Sequence, residues 1–210
     1  MVKVFEWSNF SIESPRLHLI HLDYNNLLHA VFMTDLINTP ACINAFGNLS
    51  INTPERFSRY VRTQVHPHYV RYGYGLFMVL HKPDQYADVD ESKPIGMVSL
   101  NRSDSHDACV APQLQFAIMS SETLHGYATE AAKTLLDYAK RELGMDSACA
   151  FSSVRNAHGA SVLKKVGLEF RGIVDLTGSG SDEGKVSVWT LPGMSQDLSI
   201  YRLSLPLTCL

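Results

Sequence analysis

The sequence predicts one domain of the α/β class, in which short strands alternate with helices along the chain. Its 210 residues are typical of a single domain with short extensions, and they are enough to bury a sizeable core. In the segment 16–22, apolar residues follow the two-residue period of a strand. In 128–142 they recur every three or four positions, which is the period of a helix. Signals of both kinds follow one another to residue 191.

Seven strands are predicted from short apolar runs that are bounded by glycine, proline or polar residues. In chain order they cover 16–22, 76–81, 94–100, 113–119, 147–153, 168–176 and 185–191. The connection 82–93 is too long for a tight hairpin turn, so we expect an acidic, mobile surface loop there.

Four helices are predicted from their start and stop signals. Asp23 and Asn25 or Asn26 can cap the first, and Thr53 followed by Pro54 is a stronger start signal for the second. The last two are amphipathic, and a glycine closes each of them. The four helices end at residues 33, 65, 142 and 166.

The composition is that of an ordinary globular protein, with 45% hydrophobic residues, 19% charged residues and a formal net charge of −3. It lacks the basic excess that a nucleic-acid or anionic-membrane partner would favour. The N-terminus does not resemble a signal peptide, and no run of about 18 apolar residues occurs. We therefore expect a cytoplasmic protein with no membrane or nucleic-acid partner. A homodimer is one assembly that the sequence leaves open.

The cysteines are far apart and form no CxxC pair, so their spacing predicts neither a zinc site nor a disulfide framework. We expect reduced thiols and no metal cofactor. The four cysteines are Cys42, Cys109, Cys149 and Cys209.

The segment LHGYATEAAKTLL, residues 124–136, joins a glycine-containing loop to an amphipathic helix. A helix start carries unpaired amides and partial positive charge, and Gly126 and Ala128 would leave it open to phosphate oxygens. A plain turn with a close-packed helix start is the alternative. The Walker phosphate loop is excluded because no Lys-Ser/Thr pair follows the glycine, and the dinucleotide fingerprint needs more glycines.

Three ordered segments resemble the GNAT superfamily of acetyl-CoA-dependent N-acetyltransferases. Residues 123–128 are similar to its Gln/Arg-x-x-Gly-x-Gly/Ala motif, except that Thr123 stands in the first place. Asn156 followed by SVLKKVGLEFRG (161–172) is similar to the family's Asn-then-VLEKLGF segment. GYATEA, residues 126–131, resembles the form of the first motif in the branch that includes the ribosomal-protein N-terminal acetyltransferases, and SPRLHLIHL, from Ser14, resembles the TxRLxLR opening strand of that branch.

The resemblance implies a single GNAT-like domain over 14–191, with an N-terminal extension (1–13) and a C-terminal tail (192–210). It implies a central mixed, mostly antiparallel sheet of six to seven strands, splayed between the fourth and fifth and flanked by helices. In the family, the pantetheine arm of acetyl-CoA enters that splay and pairs with backbone groups. The implied acetyl-CoA residues are Phe116, Ala117, Ile118, Thr123, Leu124, His125, Gly126, Tyr127, Ala128, Thr129, Asn156 and Ser161.

Several of these residues also have plainer explanations. His125 is either a phosphate partner or a solvated loop residue, and Thr129 and Asn156 could serve only as helix caps. Ser161 and Lys164 suit a solvated helix face as well as a cofactor contact. We expect Glu130 to favour the helix dipole and to point away from the phosphates.

The catalytic half of the family pattern is missing. Leu163 stands where many members carry a thiolate-protonating Tyr, Gly159 where some carry a Ser, and Pro112 where others carry a Glu base. The general base is therefore unknown. HPHYVRYGYG (66–75) could line an acceptor site or form an aromatic loop. The weak candidates for a catalytic role are Gln115, Ser153, His18 and His68, followed by His21, Asp23, Glu55 and His66.

The first functional hypothesis is transfer of an acetyl group from acetyl-CoA to an unidentified amine by direct attack in a ternary complex. The acceptor is either a small molecule or a protein N-terminus. The second hypothesis is a CoA-binding module that has lost catalysis and acts as a sensor or scaffold. A third, another acyl donor such as succinyl-CoA or malonyl-CoA, would need a basic residue near the thioester, which the sequence does not identify.

Overall fold

The computed structural model describes residues 10–102, 109, 111–175 and 184–201, and within them it places eight strands. The predicted α/β class is confirmed. The strands are β1 Ser11–Glu13, β2 Leu17–His21, β3 Leu76–His81, β4 Lys93–Asn101, β5 Gln113–Ile118, β6 Cys149–Ser153, β7 Glu169–Asp175 and β8 Lys185–Thr190. The helices are α1 Leu27–Ile37, α2 Pro40–Phe46, α3 Pro54–Tyr60, α4 His66–Tyr72, α5 Tyr127–Leu143 and α6 Ala157–Val166.

The strands form one sheet in the order β1-β2-β3-β4-β5-β6-β8-β7. Neighbouring strands are antiparallel except β5 and β6, which are parallel and share a single pair, Gln113 with Cys149. The predicted splay between the strands 113–119 and 147–153 is therefore confirmed. The sheet has one strand more than expected. β1 lies in the predicted N-terminal extension, and its three residues are too few for a periodic pattern.

Most of the longer helices begin directly after a residue whose side chain caps the helix. Asn26 caps α1 and Thr53 caps α3, as the sequence predicted, but α1 continues to Ile37 rather than ending at 33. The helix α2 was not predicted, although Thr39 before Pro40 is the same start signal and Thr39 caps this helix. Within the described ranges, no helix combines the length and the apolar character that crossing a membrane requires.

Residues 66–72 were expected to belong to a loop, but they form α4. The helix begun at α3 continues through a π-helical turn, Val61–Val65, directly into α4. Pro67 lies in the first turn of α4, and its ring would clash with the carbonyl four residues earlier in a continuous α-helix. The wider π-helical turn relieves this clash, so proline does not end the helical segment.

The connection between β3 and β4 lies on the surface, as predicted, but buried residues anchor it. The Lys82 side chain is buried and lies 3.2 Å from a Glu13 carboxylate oxygen. Ala87 is also buried, and its carbonyl lies 3.1 Å from Nε2 of the buried His18. These contacts fix the loop to β1 and β2, which the acidic sequence of the loop did not indicate.

The core lies on both sides of the sheet. The predicted apolar face of α5 is buried, with Ala131, Ala132 and Leu135 at 0% exposure. A smaller cluster forms around Tyr201, where the start of the predicted tail packs on β6 and β8. There the Cys109 and Cys149 thiols are 3.0 Å apart, within hydrogen-bond distance of each other.

An aromatic cluster surrounds His21 near the end of β2. The imidazole lies 4.1 Å from the Tyr69 ring and 4.4 Å from the Phe10 ring, measured between centroids. Burial, with a smaller effect from His66, lowers the pKa of His21 to about 3. His21 is therefore a neutral part of the core at neutral pH.

We expect the free energy of unfolding to fall as the pH drops below 6.5, because the unfolded chain then binds a proton at His21 that the folded chain does not. The contribution of this group between pH 7 and pH 5 is about 2 kcal/mol. Urea unfolding of the wild type and of His21→Phe at both pH values measures it, since the variant lacks this titration. Equal losses of stability in the two proteins would contradict the assignment.

Candidate active site

The gap between β5 and β6 exposes backbone hydrogen-bonding groups. The Met119 amide donates to the Ile95 carbonyl of β4 at 2.8 Å, and the Cys149 amide donates to the Pro112 carbonyl at 2.9 Å. Because backbone groups alternate in direction along a strand, the odd-numbered residues of β5 pair with β4. The even-numbered residues, Phe116 and Ile118 among them, direct their N–H and C=O groups into the gap.

The start of α5 leaves its amides unpaired. The side chains of Asn26, Thr53 and Asn156 cap α1, α3 and α6 respectively, but no side chain caps α5. Its first helical hydrogen bond runs from the Glu130 amide to the Gly126 carbonyl, at 3.0 Å. The amides of Tyr127, Ala128 and Thr129 therefore have no partner among the described residues. Together with the helix dipole they form a site suited to an anion.

The loop before α5 has an unusual backbone. Leu124 and Gly126 both have positive φ, 67° and 83° respectively, and the Leu124 side chain is 88% exposed. Glycine adopts this conformation without strain, but a leucine does not. The loop is therefore held in a conformation that its sequence does not favour by itself.

One cavity of about 480 Å³ joins the gap to the start of α5. Every residue predicted from the family resemblance to contact acetyl-CoA lines it, except His125, whose ring stacks on Tyr127 at 5.5 Å. The full lining consists of Ala41, Cys42, Ala45, Phe46, Phe116, Ala117, Ile118, Glu122, Thr123, Leu124, Gly126, Tyr127, Ala128, Thr129, Asn156, His158, Gly159, Ser161, Val162 and Lys165.

Two walls of this cavity were not predicted. One is α2, which contributes small and apolar side chains, including Ala45 and Phe46. The other is the face of α6 that carries His158 and Lys165, whereas Lys164 faces elsewhere. Lys165 was not predicted to lie there, although Ser161 and Lys165 are four residues apart and therefore share a helix face.

One charged side chain of the cavity lining has a partner of opposite charge, and another has none among the described residues. Glu122 lies 2.7 Å from the Lys93 ammonium, and this hydrogen bond holds the pKa of the Glu122 carboxyl below its ordinary value. Burial raises the pKa of the Cys42 thiol, so Cys42 is protonated at neutral pH. Lys165 has no carboxylate partner among the described residues, which makes it a cation available to an anionic ligand.

Asn156 and Gly159 fit together at the start of α6. Asn156 Oδ1 accepts a hydrogen bond from the Gly159 amide at 2.8 Å, so Asn156 is the N-cap of α6 while also lining the cavity. A Cβ atom at position 159 would lie 2.7 Å from Asn156 Nδ2 and 3.0 Å from Ser152 Oγ. This crowding favours glycine at position 159 of this chain.

The four named catalytic candidates do not line the described cavity. His18 contacts the β3–β4 connection, and the two ring nitrogens of His68 lie 2.8 Å from the Tyr74 carbonyl and 3.2 Å from the Arg102 amide. Ser153 Oγ accepts from the Arg155 amide at 3.3 Å. Gln115 is buried on β5, where its Oε1 accepts from Asn101 Nδ2 at 3.0 Å. Their catalytic roles remain predictions.

The other polar candidates also have structural partners. The Asp23 carboxylate accepts from the Asn25 amide at 2.8 Å, and the His66 ring meets Tyr24 edge-on at 5.9 Å. Hydrogen bonds from its own amide and from Thr53 lower the pKa of Glu55, which is the behaviour of a helix-start carboxylate. No group of side chains in the described residues is arranged to hold a metal ion.

Comparison with known proteins gives a match to one family model, the acetyltransferase (GNAT) domain, over residues 16–169. No curated protein sequence matches the chain significantly.

Three solved structures illustrate the similarity of the fold. The ribosomal-protein-S5-alanine acetyltransferase of Vibrio fischeri has a TM-score of 0.66 and 18% identity, covering 87% of this chain and 96% of its own. A GNAT-family acetyltransferase of Bacillus anthracis has a TM-score of 0.64 and 16% identity, covering 87% and 98%. The ribosomal L7/L12 alpha-N-protein acetyltransferase RimL, in complex with coenzyme A, has a TM-score of 0.59 and 14% identity, covering 86% and 97%.

Proposed function

The chain belongs to the acetyltransferase (GNAT) domain family, and from this premise we propose which residues hold the cosubstrate and which amine accepts the acetyl group. Members of this family transfer an acetyl group from acetyl-CoA to an amine. The observation that carries the proposal is that the uncapped start of α5 and the open edge of β5 face one cavity. The comparisons lend no support to the alternative of an inactive CoA-binding module.

The diphosphate of acetyl-CoA binds at the start of α5 in this proposal. The amides of Tyr127, Ala128 and Thr129 donate to its oxygens, and Gly126 keeps the approach free of a side chain. Lys165, on the opposite wall, supplies a positive charge to one of the phosphate groups. The chain as a whole carries a net charge of −3, so local positive groups must provide the attraction.

The backbone of β5 holds the pantetheine arm. Phe116 and Ile118 direct N–H and C=O groups into the gap, where they pair with the amides of the arm as a neighbouring strand would. An amide that faces the gap can also donate to the oxygen of the thioester carbonyl as negative charge develops there. Acetyl-CoA supplies the acyl carbon that the amine attacks and the thiolate that leaves.

The chemistry of the cavity favours an amine that is substantially neutral near pH 7. Two groups of its lining are poorly suited to take a proton from an amine, because the Glu122 carboxylate is paired with Lys93 and the Cys42 thiol has a raised pKa. A lysine side chain, with an ordinary pKa of about 10.4, is almost fully charged near pH 7, whereas an α-amino group, with a pKa of about 7.7 to 8, is partly neutral without the help of a base. We therefore propose a protein N-terminus as the acceptor. The names of two structural neighbours specify ribosomal proteins, which supports this class.

Proton transfer to the leaving thiolate does not need a dedicated side chain. Leu163 occupies the place of the family tyrosine, and its hydrocarbon side chain has no ionisable proton to supply. The pKa of a thiol is about 8.5, so the thiolate is a tolerable leaving group that can take its proton from water.

Acetyl-CoA should bind the purified protein with a micromolar dissociation constant, and Lys165→Ala should weaken binding roughly five-fold by removing a phosphate partner. Isothermal titration measures both values. Lys164→Ala is the matched control, since it removes the same charge from the adjacent position, outside the cavity lining. Failure of the folded wild type to bind acetyl-CoA would overturn the proposed site. Equal effects of the two substitutions would remove Lys165 from it.

The rate of acetyl transfer to a peptide with a free N-terminus should rise about ten-fold per pH unit below pH 7 and level off near pH 8, because only the neutral amine attacks. Release of free thiol from acetyl-CoA between pH 6 and pH 9 measures the profile. The same peptide with a blocked N-terminus and a free lysine is the control. Faster turnover of this control peptide would contradict the proposed acceptor.

A further inference from the structure

Arg16 contacts the loop before α5 from outside the cavity. We define residues 123–126 as the cofactor loop. Arg16 Nη1 donates to the His125 carbonyl at 3.1 Å, and the guanidinium lies 4.7 Å from the centre of the Tyr127 ring. A Cβ atom on Gly126 would be 3.6 Å from Arg16 Nη2. Arg16 follows β1 in sequence, so these contacts join the edge of the sheet to the loop.

The same arginine binds the carboxylate in the first turn of α5. Glu130 Oε2 lies 2.7 Å from Arg16 Nε and 2.6 Å from Arg16 Nη2. Glu130 Oε1 accepts from the Arg16 amide at 3.0 Å and from Ser14 Oγ at 2.7 Å. Glu130 therefore points away from the cavity, as the sequence analysis expected. Burial raises the pKa of Glu130, but these hydrogen bonds outweigh it and keep the carboxyl ionised at neutral pH.

We infer that Arg16 is a positioning residue for acetyl-CoA binding, which fixes the cofactor loop through the His125 carbonyl and neutralises Glu130 beside the phosphate site. This inference rests on the proposed function. Without Arg16, an unpaired carboxylate would stand in the first turn of α5, near the amides that receive the diphosphate. Like charges at this position oppose the helix dipole's attraction for the phosphates.

Arg16 also stabilises the strained backbone of the cofactor loop. Leu124 holds a left-handed conformation although its side chain is largely exposed and gains little from packing. The conformation must therefore be maintained by other contacts of the loop. Side-chain hydrogen bonds to the described backbone that hold it include the one from Thr123 Oγ1 to the Ser120 carbonyl at 2.9 Å and the one from Arg16 to the His125 carbonyl at 3.1 Å. Arg16 alone connects the loop to the sheet through a side chain in the described contacts.

Neutralising each partner of the ion pair, singly and together, tests the inference. Arg16→Gln should raise the dissociation constant of CoA about ten-fold, because Glu130 loses its counter-charge and the loop loses its anchor. Glu130→Gln should leave the constant within about two-fold of the wild type. The double variant should bind CoA about three-fold more tightly than Arg16→Gln, because no unpaired carboxylate remains.

Three controls test whether the loss of affinity is specific to Arg16 and to the phosphates of CoA. Arg141→Gln removes an equal charge from the far end of α5, where the only described bond of that side chain goes to the Asp137 carbonyl, and should leave CoA affinity unchanged. Pantetheine, which lacks the phosphates, should bind all variants alike in an NMR titration. Arg16→Lys retains the positive charge but not the planar set of donors of arginine, so its dissociation constant for CoA should lie between those of the wild type and Arg16→Gln. If Arg16→Gln does not fold, Arg16→Lys takes its place in the comparison.

The outcomes separate the two proposals. Wild-type protein that does not bind CoA contradicts the proposed function. If the wild type binds, the positioning role of Arg16 is overturned by unchanged CoA affinity in Arg16→Gln, by a double variant no better than that single variant, or by an equal loss of pantetheine binding. Loss of CoA affinity that Glu130→Gln partly restores, with pantetheine unaffected, supports it.

Discussion

The separation of β5 from β6 after one residue pair is the constraint on which the site depends. A continuous ladder would occupy the backbone groups of both strands and leave no space between them. Because the strands part beyond Gln113 and Cys149, the even-numbered residues of β5 keep free hydrogen-bonding groups along an open edge. The cavity follows from this separation, and α2 and α6 only complete its walls.

The start of α5 attracts negative charge, which the gap between β5 and β6 does not. The gap offers neutral backbone groups, whereas the uncapped helix start offers aligned amides, and Lys165 adds one cation. Acetyl-CoA has a neutral arm and charged phosphates, so the two parts of the cavity match the two parts of this molecule. The acidic Glu130 is compatible with the site because Arg16 turns its carboxylate outward.

The sequence predicted those features that depend on local chemistry. The loop before α5, its amphipathic helix and the asparagine cap of α6 each follow from a few adjacent residues. The splay of the sheet was implied by the family resemblance, but side-chain contacts that depend on how the elements pack were missed. The approach of Arg16 to Glu130 joins positions 114 residues apart, and the place of Lys165 in the cavity depends on how α6 is turned. The catalytic base could not be predicted, because no motif marks it and polar side chains are plentiful.

Hydrogen exchange at single amides, with and without CoA, tests the central claim most directly. The account predicts slower exchange on adding CoA at the amides of Phe116 and Ile118, which face the gap, and of Tyr127, Ala128 and Thr129, which begin α5. Amides of β5 already paired with β4 should change little. Protection confined to other parts of the protein, or none at saturating CoA, would contradict the assignment of this cavity as the cofactor site.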